Sequence, residues 1–234
     1  MNDVPLASQS EVNGGQYADD LNGWTSQRSQ NITQRQLQRS LNDIDAWARK
    51  WRIRLNPGKT QLVTFQKHKS RSSPPLSLSG TKITESSSMK ILGLTFDAQG
   101  TYTKHCRETA TRMSQRTALL RRISGKSWGA NSKVLLQIYR QWIRPLADYG
   151  STATFRACKS AKKLLQLQEL RALRLALHLP RYTSNIDTYM LAGTCSILDR
   201  IDNRRDTAIS KFHKDENIRK LNDKISLIQG NRTS

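Results

Sequence analysis

Two adjacent carboxylates near the start of the chain are the residues best suited to chemistry. Asp19 and Asp20 end the tetrapeptide Tyr17-Ala18-Asp19-Asp20. Adjacent carboxylates in a tight turn are what a nucleotidyl-transfer site uses to hold divalent metal ions, which stabilise the attacking and leaving oxygens. The pair therefore predicts half of a metal site. A solvated turn or a helix cap is the alternative for an Asp-Asp pair taken alone.

The residues around this pair predict a short hairpin. Gly14 and Gly15 precede the motif, and the dipeptide Asn22-Gly23 follows it as a turn signal. We expect residues 1–24 to form a loop and this hairpin.

A helix and then a lysine at a turn follow the hairpin. Asn31 is a suitable N-cap for the helix. Its apolar residues recur at steps of three and four, which predicts a core-facing stripe. The stripe comprises Leu37, Leu41, Ile44, Trp47 and Trp51. The turn Asn56-Pro57-Gly58 then precedes Lys59, which is either a functional cation or an ordinary surface lysine.

The next segment has the composition of strands. Residues 61–65 are rich in β-branched and aromatic side chains, which favours a strand. Residues 76–83 predict a second hairpin, and Lys90–Asp97 predicts the strongest strand of the chain. The character becomes helical after Gly100, so we place a domain boundary there.

The rest of the chain predicts helices. A basic helix over 102–124 is followed by one that Asn131 or Ser132 caps, with Val134, Leu135, Ile138, Trp142 and Ile143 as its apolar face. A third helix runs over 159–179 and stops at Pro180. From residue 181 we expect helix in pieces, around 197–212, and a frayed end. The fold class is therefore α+β.

The charge balance indicates an anionic partner. The 39 Lys and Arg residues outnumber the 18 Asp and Glu residues, for a net charge of +21 and an isoelectric point near 10.5. Residues 101–150 carry 10 basic and 2 acidic side chains, whereas residues 1–50 carry 5 basic and 6 acidic ones. Nucleic acid is the first candidate partner and an anionic membrane surface the second.

The sequence gives little support for disulfides, a zinc site, a membrane span or a signal peptide. Cys106, Cys158 and Cys195 are widely spaced, so neither a disulfide framework nor a zinc knuckle is indicated. The pair His105-Cys106 has no second pair to complete a metal site. No apolar run approaches the roughly 20 residues that span a bilayer. The first residues lack the pattern of a signal peptide, so we expect an intracellular protein and no membrane partner.

The order of motifs resembles the C-terminal half of the reverse transcriptases of non-LTR (LINE, jockey-like) retrotransposons. Each matching string is short, but together they keep the family's order over residues 1 to about 190. The strings are Met1–Pro5, Tyr17–Asp20, Ile44–Thr60, Ile91–Asp97, Leu136–Arg140, Ile143–Pro145, Tyr149-Gly150, Arg171–Arg174 and Pro180–Thr183.

The resemblance implies a right-hand polymerase fold. Residues 1–100 would form a partial palm, with a small antiparallel sheet, a helix, the metal-site hairpin and a primer-positioning hairpin. Residues 101–180 would form an all-helical basic thumb, and residues 181–234 a helical or frayed tail. The partners implied are an RNA template and a DNA primer, with dNTP in the complete enzyme. The nucleus is the location expected from the family, and the cytoplasm is the alternative.

The resemblance also assigns roles to individual residues. Asp19 and Asp20 match the metal-binding pair, for Mg²⁺ or Mn²⁺, and Lys59 matches the palm lysine that donates a proton to the departing pyrophosphate. Leu92 and Gly93 match the hairpin that positions the primer end. The basic residues that would contact nucleic acid in the thumb are Arg107, Arg112, Arg116, Arg121, Arg122 and Lys126. Helices lying along a phosphate backbone bind mainly through charge.

One feature of the family has no counterpart in this sequence. In the family another metal-binding carboxylate lies well upstream, on a separate palm strand, together with the fingers that hold the nucleotide. Here Asp3 and Glu11 are the acidic residues before Asp19. We therefore expect a fragment of an RNA-directed DNA polymerase that is inactive alone. Whether this chain acts as an enzyme is left open by the sequence. The alternative is a stand-alone basic nucleic-acid-binding protein without catalysis.

Overall fold

The computed structural model describes residues 12–27, 29–65, 75–125 and 128–214. The chain forms two compact units. The first comprises residues 1–90 and 97–100, and the second comprises residues 91–96 and 101–234. Helices and small sheets both occur, which confirms the mixed character of the predicted α+β class. The division into palm and thumb stays a prediction.

The strands of the described residues are short and pair two by two. They are β1 (Asn13–Tyr17), β2 (Asp20–Trp24), β3 (Gln61–Leu62), β4 (Ser77–Leu78), β5 (Thr81–Lys82), β6 (Thr84–Glu85), β7 (Ser88–Ile91) and β8 (Leu94–Asp97). β1 pairs with β2 and β4 with β5, both antiparallel. β7 pairs with β8, and β3 runs parallel to β6. The expected sheet was antiparallel, and the parallel pair β3–β6 differs from that expectation.

The helices account for most of the second unit. α1 (Gln30–Lys50) belongs to the first unit. The helices of the second unit are α2 (Thr103–Arg121), α3 (Ser132–Ile138), α4 (Arg144–Asp148), α5 (Ser151–Thr154), α6 (Lys159–Ala176), α7 (Asn185–Ala192) and α8 (Ile197–Lys214). A π-helical segment, Tyr139–Ile143, joins α3 to α4. In the described part of the chain, no helix is both long and apolar enough to cross a membrane.

The first unit has a small core under α1. Leu37 and Leu41 of the predicted stripe pack against the buried side chains of Leu76, Leu78 and Ile83, which belong to the β4–β5 hairpin and the residues directly before and after it. The stripe therefore does face a core, and the predicted hairpin over 76–83 is confirmed.

The ends of α1 differ from the prediction. Ser29, not Asn31, occupies the N-cap position, so the helix begins earlier than the cap signal suggested. Trp51 follows the last helical residue and is 55% exposed. Including it in the buried stripe was wrong, because the helix ends before Trp51 can extend the stripe.

Two further expectations about strands were wrong. Lys90–Asp97 is not one strand, because the chain reverses at Leu92 and Gly93 between β7 and β8. The dipeptide Asn22-Gly23 lies inside β2, where it pairs with Gly15 and Gly14, and is not a turn. The predicted strand over 61–65 is limited to β3.

The core of the second unit lies among the helices, with α2 packed on α6. Buried side chains come from both of these helices and from the segment that includes α3 and α4. Asn131 caps α3, and its side chain accepts a hydrogen bond from the Val134 N–H at 3.0 Å, which confirms one of the two predicted caps. Val134 and Trp142, predicted on an apolar face, are 43% and 38% exposed, whereas Leu135 and Ile143 from the same prediction are buried.

The C-terminal helices are held by a buried carboxylate. Helix was predicted around 197–212, and α8 confirms it; α7 is an additional piece. Glu169 on α6 is fully buried and accepts a hydrogen bond from the Ile197 N–H, the first residue of α8, at 2.8 Å. A buried charge is tolerated where it is paired and hydrogen-bonded. The predicted frayed end falls on residues 215–234, outside the described residues.

Candidate metal and nucleic-acid sites

The Asp pair lies at the end of the first hairpin, as predicted. Tyr17 pairs with Asp20 across β1 and β2, so Ala18 and Asp19 form a two-residue turn. Ala18 has a φ of 52°, in the left-handed region that glycine adopts more easily. Such a conformation costs alanine on the order of 1 kcal/mol. The turn thus places Asp19 at the tip and Asp20 at the first position of β2.

The two carboxylates suit a hard divalent cation. Asp19 and Asp20 are both exposed, so their oxygens are accessible. Mg²⁺ is commonly held by one or two carboxylates, with waters and substrate phosphates as its other ligands. The donor set fits that pattern. Across the described ranges, no group of three or more His, Cys, Asp or Glu side chains could hold a metal, so these residues supply no third protein ligand.

Lys59 ends a short 3-10 helix in the same unit as the Asp pair. The helix spans Pro57–Lys59, and the Asn56 side chain accepts a hydrogen bond from the Lys59 N–H at 3.3 Å. This capping explains the sequence: Asn56 fixes the start and Pro57 is pre-organised for the first turn. Lys59 is exposed, which leaves its ammonium group accessible to a phosphate.

Leu92 and Gly93 form the turn between β7 and β8. Their φ angles are 47° and 82°, both in the left-handed region. The Tyr149 hydroxyl donates a hydrogen bond to the Leu92 carbonyl oxygen. A Cβ on Gly93 would lie 3.3 Å from the Tyr149 ring. The turn that was assigned to the primer end is therefore in contact with the residue after α4. The sequence had shown Tyr149 only as part of a matching string.

The basic residues of α2 do not share one environment. Arg107, Arg121 and Arg122 are exposed. Arg112 is also exposed, with an Nη2 to Thr109 Oγ1 distance of 3.4 Å. The five steps from Arg107 to Arg112, at about 100° each, rotate the side-chain direction by about 140° beyond a full turn. The arginines are therefore spread around α2. Lys126 lies outside the described residues.

Arg116 is tied to the helical unit itself. Its guanidinium lies 5.0 Å from the centre of the Trp142 ring and also donates to the Trp142 carbonyl oxygen. A cation over an indole face is favourable, and this one also satisfies a carbonyl at the π-helical segment. Arg116 therefore stabilises the fold, and it is less available to a phosphate than the exposed arginines.

An open groove of about 620 Å³ runs between α2 and α6. Polar and small side chains line much of it: Arg107, Ala110, Thr111, Ser114, Gln115, Ala118, Leu164 and Gln168. Additional basic residues on α6, namely Lys159, Lys163 and Arg171, are exposed and were not selected from the sequence. The signal that could have found the two lysines is the cluster of lysines at 159, 162 and 163, which opens α6.

Comparison with known proteins agrees with the sequence motifs. Residues 1–96 match the family "Reverse transcriptase (RNA-dependent DNA polymerase)". The chain is 30% identical over 167 residues to the "Probable RNA-directed DNA polymerase from transposon BS" of Drosophila melanogaster, which is 71% of this chain and 18% of that protein. It is 29% identical over 177 residues to the "RNA-directed DNA polymerase from mobile element jockey" of the same species, which is 73% of this chain and 19% of the relative.

A longer match comes from Drosophila funebris. Its "RNA-directed DNA polymerase from mobile element jockey" is 27% identical over 219 residues, which is 91% of this chain and 23% of the relative. No solved structure matches the chain significantly. Residues 1–96 are thus part of a reverse transcriptase domain. Most of the chain is similar to RNA-directed DNA polymerases of non-LTR transposons, and it spans about a fifth of the length of the curated relatives it matches.

Proposed function

We propose that this chain supplies two parts of an RNA-directed DNA polymerase. The first is the acidic pair of the divalent-metal site, and the second is a set of basic helices that bind the template–primer duplex. In this proposal residues 1–100, with the primer-positioning hairpin, are part of the palm, and the helices over residues 101–180 are the thumb. The homology does not favour a stand-alone nucleic-acid-binding protein.

The first hairpin carries the proposal. It presents Asp19 and Asp20 at an exposed two-residue turn, inside the segment that matches the reverse transcriptase family. A solvated turn would explain the exposure of these residues but not their occurrence in that family segment. We therefore assign them to Mg²⁺ or Mn²⁺, with the remaining ligands from outside the described residues.

The roles of the residues follow from their chemistry. A bound divalent ion supplies Lewis-acid stabilisation of phosphoryl oxygens and orients them. Asp19 and Asp20 hold and orient the ion through their carboxylate oxygens. Lys59 offers an exposed ammonium group that stabilises and protonates the departing pyrophosphate. The capped 3-10 helix fixes the backbone from which the Lys59 side chain extends.

The helical unit binds the RNA template and DNA primer mainly through charge. Arg107 lies on the α2–α6 groove, and Arg121 and Arg122 lie at and just after the end of α2; all three are exposed. Each phosphate contact releases condensed counterions, so affinity falls steeply with salt concentration. Arg112 is a further exposed contact, whereas Arg116 acts mainly by supporting Trp142. We expect this complex to form in the nucleus.

The experiment is a salt titration of binding to an RNA–DNA hybrid. The chain and the variant Arg107→Gln are compared between about 50 and 200 mM salt, where phosphate-dominated binding loses several orders of magnitude. We expect Arg107→Gln to weaken binding and to make the slope of log K against log salt shallower by close to one. Arg205→Gln is the matched control, because Arg205 on α8 is already paired with Asp206 at 2.8 Å.

Two outcomes would reject the proposed role of the helices. One is a slope near zero for the unchanged chain, which would mean that phosphate contacts do not dominate. The other is an equal effect of Arg107→Gln and Arg205→Gln, which would reflect net charge and not a defined surface.

A further inference from the structure

We propose that Tyr149 and Gly150 position the primer-end hairpin. They fix the Leu92-Gly93 turn to the helical unit, so that the primer's 3′ end is held together with the helices that grip the duplex. The inference rests on the proposed function of this turn, and it assigns a role to two residues outside the predicted site.

The first contact is made by the hydroxyl group of Tyr149. It donates to the carbonyl oxygen of Leu92, a residue 57 positions away in the chain. This carbonyl belongs to a residue with a φ of 47°, so the hydrogen bond stabilises a backbone conformation that leucine rarely adopts. The hydroxyl therefore acts on the shape of the turn itself.

The second contact is made by the Tyr149 ring and requires glycine at position 93. A Cβ at that position would lie 3.3 Å from the ring carbon Cε1, and the φ of 82° is strained for any other residue. The ring thus packs directly against the turn backbone, and both residues of the turn contact one tyrosine.

The third contact places Leu94 against Gly150. Gly150 has a φ of 70°, and a Cβ there would lie 2.1 Å from Leu94 Cδ2. The Leu94 side chain therefore occupies the space that any side chain at position 150 would need. The dipeptide Tyr149-Gly150 contacts residues 92, 93 and 94 in turn.

The dipeptide is anchored to the helices behind it. The Tyr149 N–H donates to the Pro145 carbonyl oxygen at 2.9 Å, which closes α4. The preceding carboxylate, that of Asp148, accepts from Arg200 at 2.9 Å and from Arg204 at 3.1 Å, both on α8. A residue that follows such a paired carboxylate has little freedom to move alone.

The hairpin is also tied to α2 on its β8 side. The Thr95 hydroxyl donates to Glu108 Oε2 at 2.7 Å, and the Thr95 N–H donates to His105 Nδ1 at 3.3 Å. Phe96 meets Tyr102 edge to face, with ring centres 5.6 Å apart. Residues 92–96 thus contact both α2, which carries the arginines, and the end of α4. Movement of the helices on the duplex would carry the primer-end turn with them.

The test uses Tyr149→Phe, which removes one hydroxyl, and Gly150→Ala, which displaces Leu94. Tyr182→Phe is the control, since Tyr182 is 90% exposed. The first readout is hydrogen exchange of the amides at 92–95 in the free chain. The second is the fluorescence of an RNA–DNA hybrid that carries 2-aminopurine at the primer's 3′ end. A hybrid labelled at an internal position reports binding alone.

We expect the two test variants to raise exchange at 92–95, by about tenfold for loss of one hydrogen bond. They should abolish the fluorescence change at the primer end while the internally labelled hybrid binds as before. Unchanged hydrogen exchange at 92–95 in the test variants would overturn the inference. Raised exchange with an unaltered primer-end fluorescence signal, in variants that still bind the hybrid, would also overturn it. Both results would leave the proposed function standing. Failure of the unchanged chain to bind either hybrid would overturn the proposed function.

Discussion

The guanidinium of Arg200 donates to Glu169 Oε1 at 2.6 Å inside the helical unit, where only 1% of the Glu169 side chain is exposed. The same carboxylate accepts hydrogen bonds from the hydroxyls of Tyr139, at 2.7 Å, and Tyr189, at 3.0 Å. Four helical segments therefore meet at one buried charge. Such a network stabilises a single arrangement only while every member keeps its partner.

Glu169→Gln should destabilise the helical unit. The substitution keeps the shape of the side chain but removes the charge that compensates Arg200. Removing one partner of a buried ion pair costs about 3 to 5 kcal/mol. We expect the lower end of that range, because Arg200 also pairs with Asp148. Urea denaturation at neutral pH measures the free energy of unfolding.

Asp202→Asn is the matched control for this prediction. Asp202 pairs with Arg205 at 3.6 Å on the exposed side of α8. Exposed pairs contribute about 0 to 1 kcal/mol. Equal losses in the two variants would mean that the Glu169 network adds nothing beyond a surface ion pair.

The stability of the helical unit should fall at alkaline pH through Tyr139. Burial, and then the adjacent Glu169 carboxylate, raise the pKa of Tyr139 above its ordinary value. The folded chain thus keeps a proton that the unfolded chain loses. The stabilisation is complete below the ordinary tyrosine pKa of about 10 and is lost as pH rises above it, by about 1.4 kcal/mol per pH unit.

Tyr139→Phe tests this dependence because it removes the titrating group. We expect the variant to have a shallower decline of unfolding free energy between about pH 10 and 11 than the unchanged chain. Tyr182→Phe, at a residue that is 90% exposed, should leave the decline as it is. A decline that is the same in both variants would assign it to other groups.

Cys158 should be the thiol that reacts at neutral pH. Hydrogen bonds from the Ser160 hydroxyl, then the Ala161 backbone and Thr103, lower the pKa of Cys158 to about 7. The thiolate is the reactive form, so alkylation by iodoacetamide should reach half its maximal rate near that pH. The rate is followed by mass spectrometry of the peptide that contains Cys158. Cys106 is buried and should react slowly throughout.

Ser160→Ala separates the hydrogen bond from simple exposure. The Ser160 hydroxyl lies 3.1 Å from Cys158 Sγ, and its loss should move the midpoint of the pH–rate profile upward. Cys195 is also exposed and serves as an internal reference in the same sample. A midpoint that is identical with and without the hydroxyl would contradict the stated cause.

Local features of the fold could be predicted from the sequence. The hairpin at Asp19 and Asp20, the long helices α2 and α6, and the Asn131 cap depend on neighbouring residues, so short-range patterns are sufficient. The positions of Leu92 and Gly93 are different. Apolar residues on both sides suggested one strand, but the turn requires left-handed backbone that is supported by Tyr149, 57 residues further on.

The surroundings of individual side chains, such as Glu169 and Arg116, also could not be predicted from local sequence patterns. Glu169 is the acidic residue of a helix rich in leucine and lysine, a setting typical of a solvent-exposed position. Its burial depends on hydroxyls and a guanidinium from three other segments. Arg116 was likewise predicted to contact nucleic acid from its place in a basic helix, and its position over the Trp142 ring could not be predicted from that pattern. Long-range partners decide such roles, and no spacing rule encodes them.

The most direct test of the account is primer extension by this chain together with the upstream half of a homologous polymerase, supplied in trans. With Mg²⁺ and an RNA template, we predict dNTP incorporation that Asp19→Asn reduces by at least about 100-fold, because changing even the partners of a metal ligand costs about 10- to 100-fold. The 234-residue chain alone should incorporate none. Equal incorporation with Asp19→Asn, or none with the unchanged chain in the completed mixture, would contradict the assignment of Asp19 and Asp20 to the metal site.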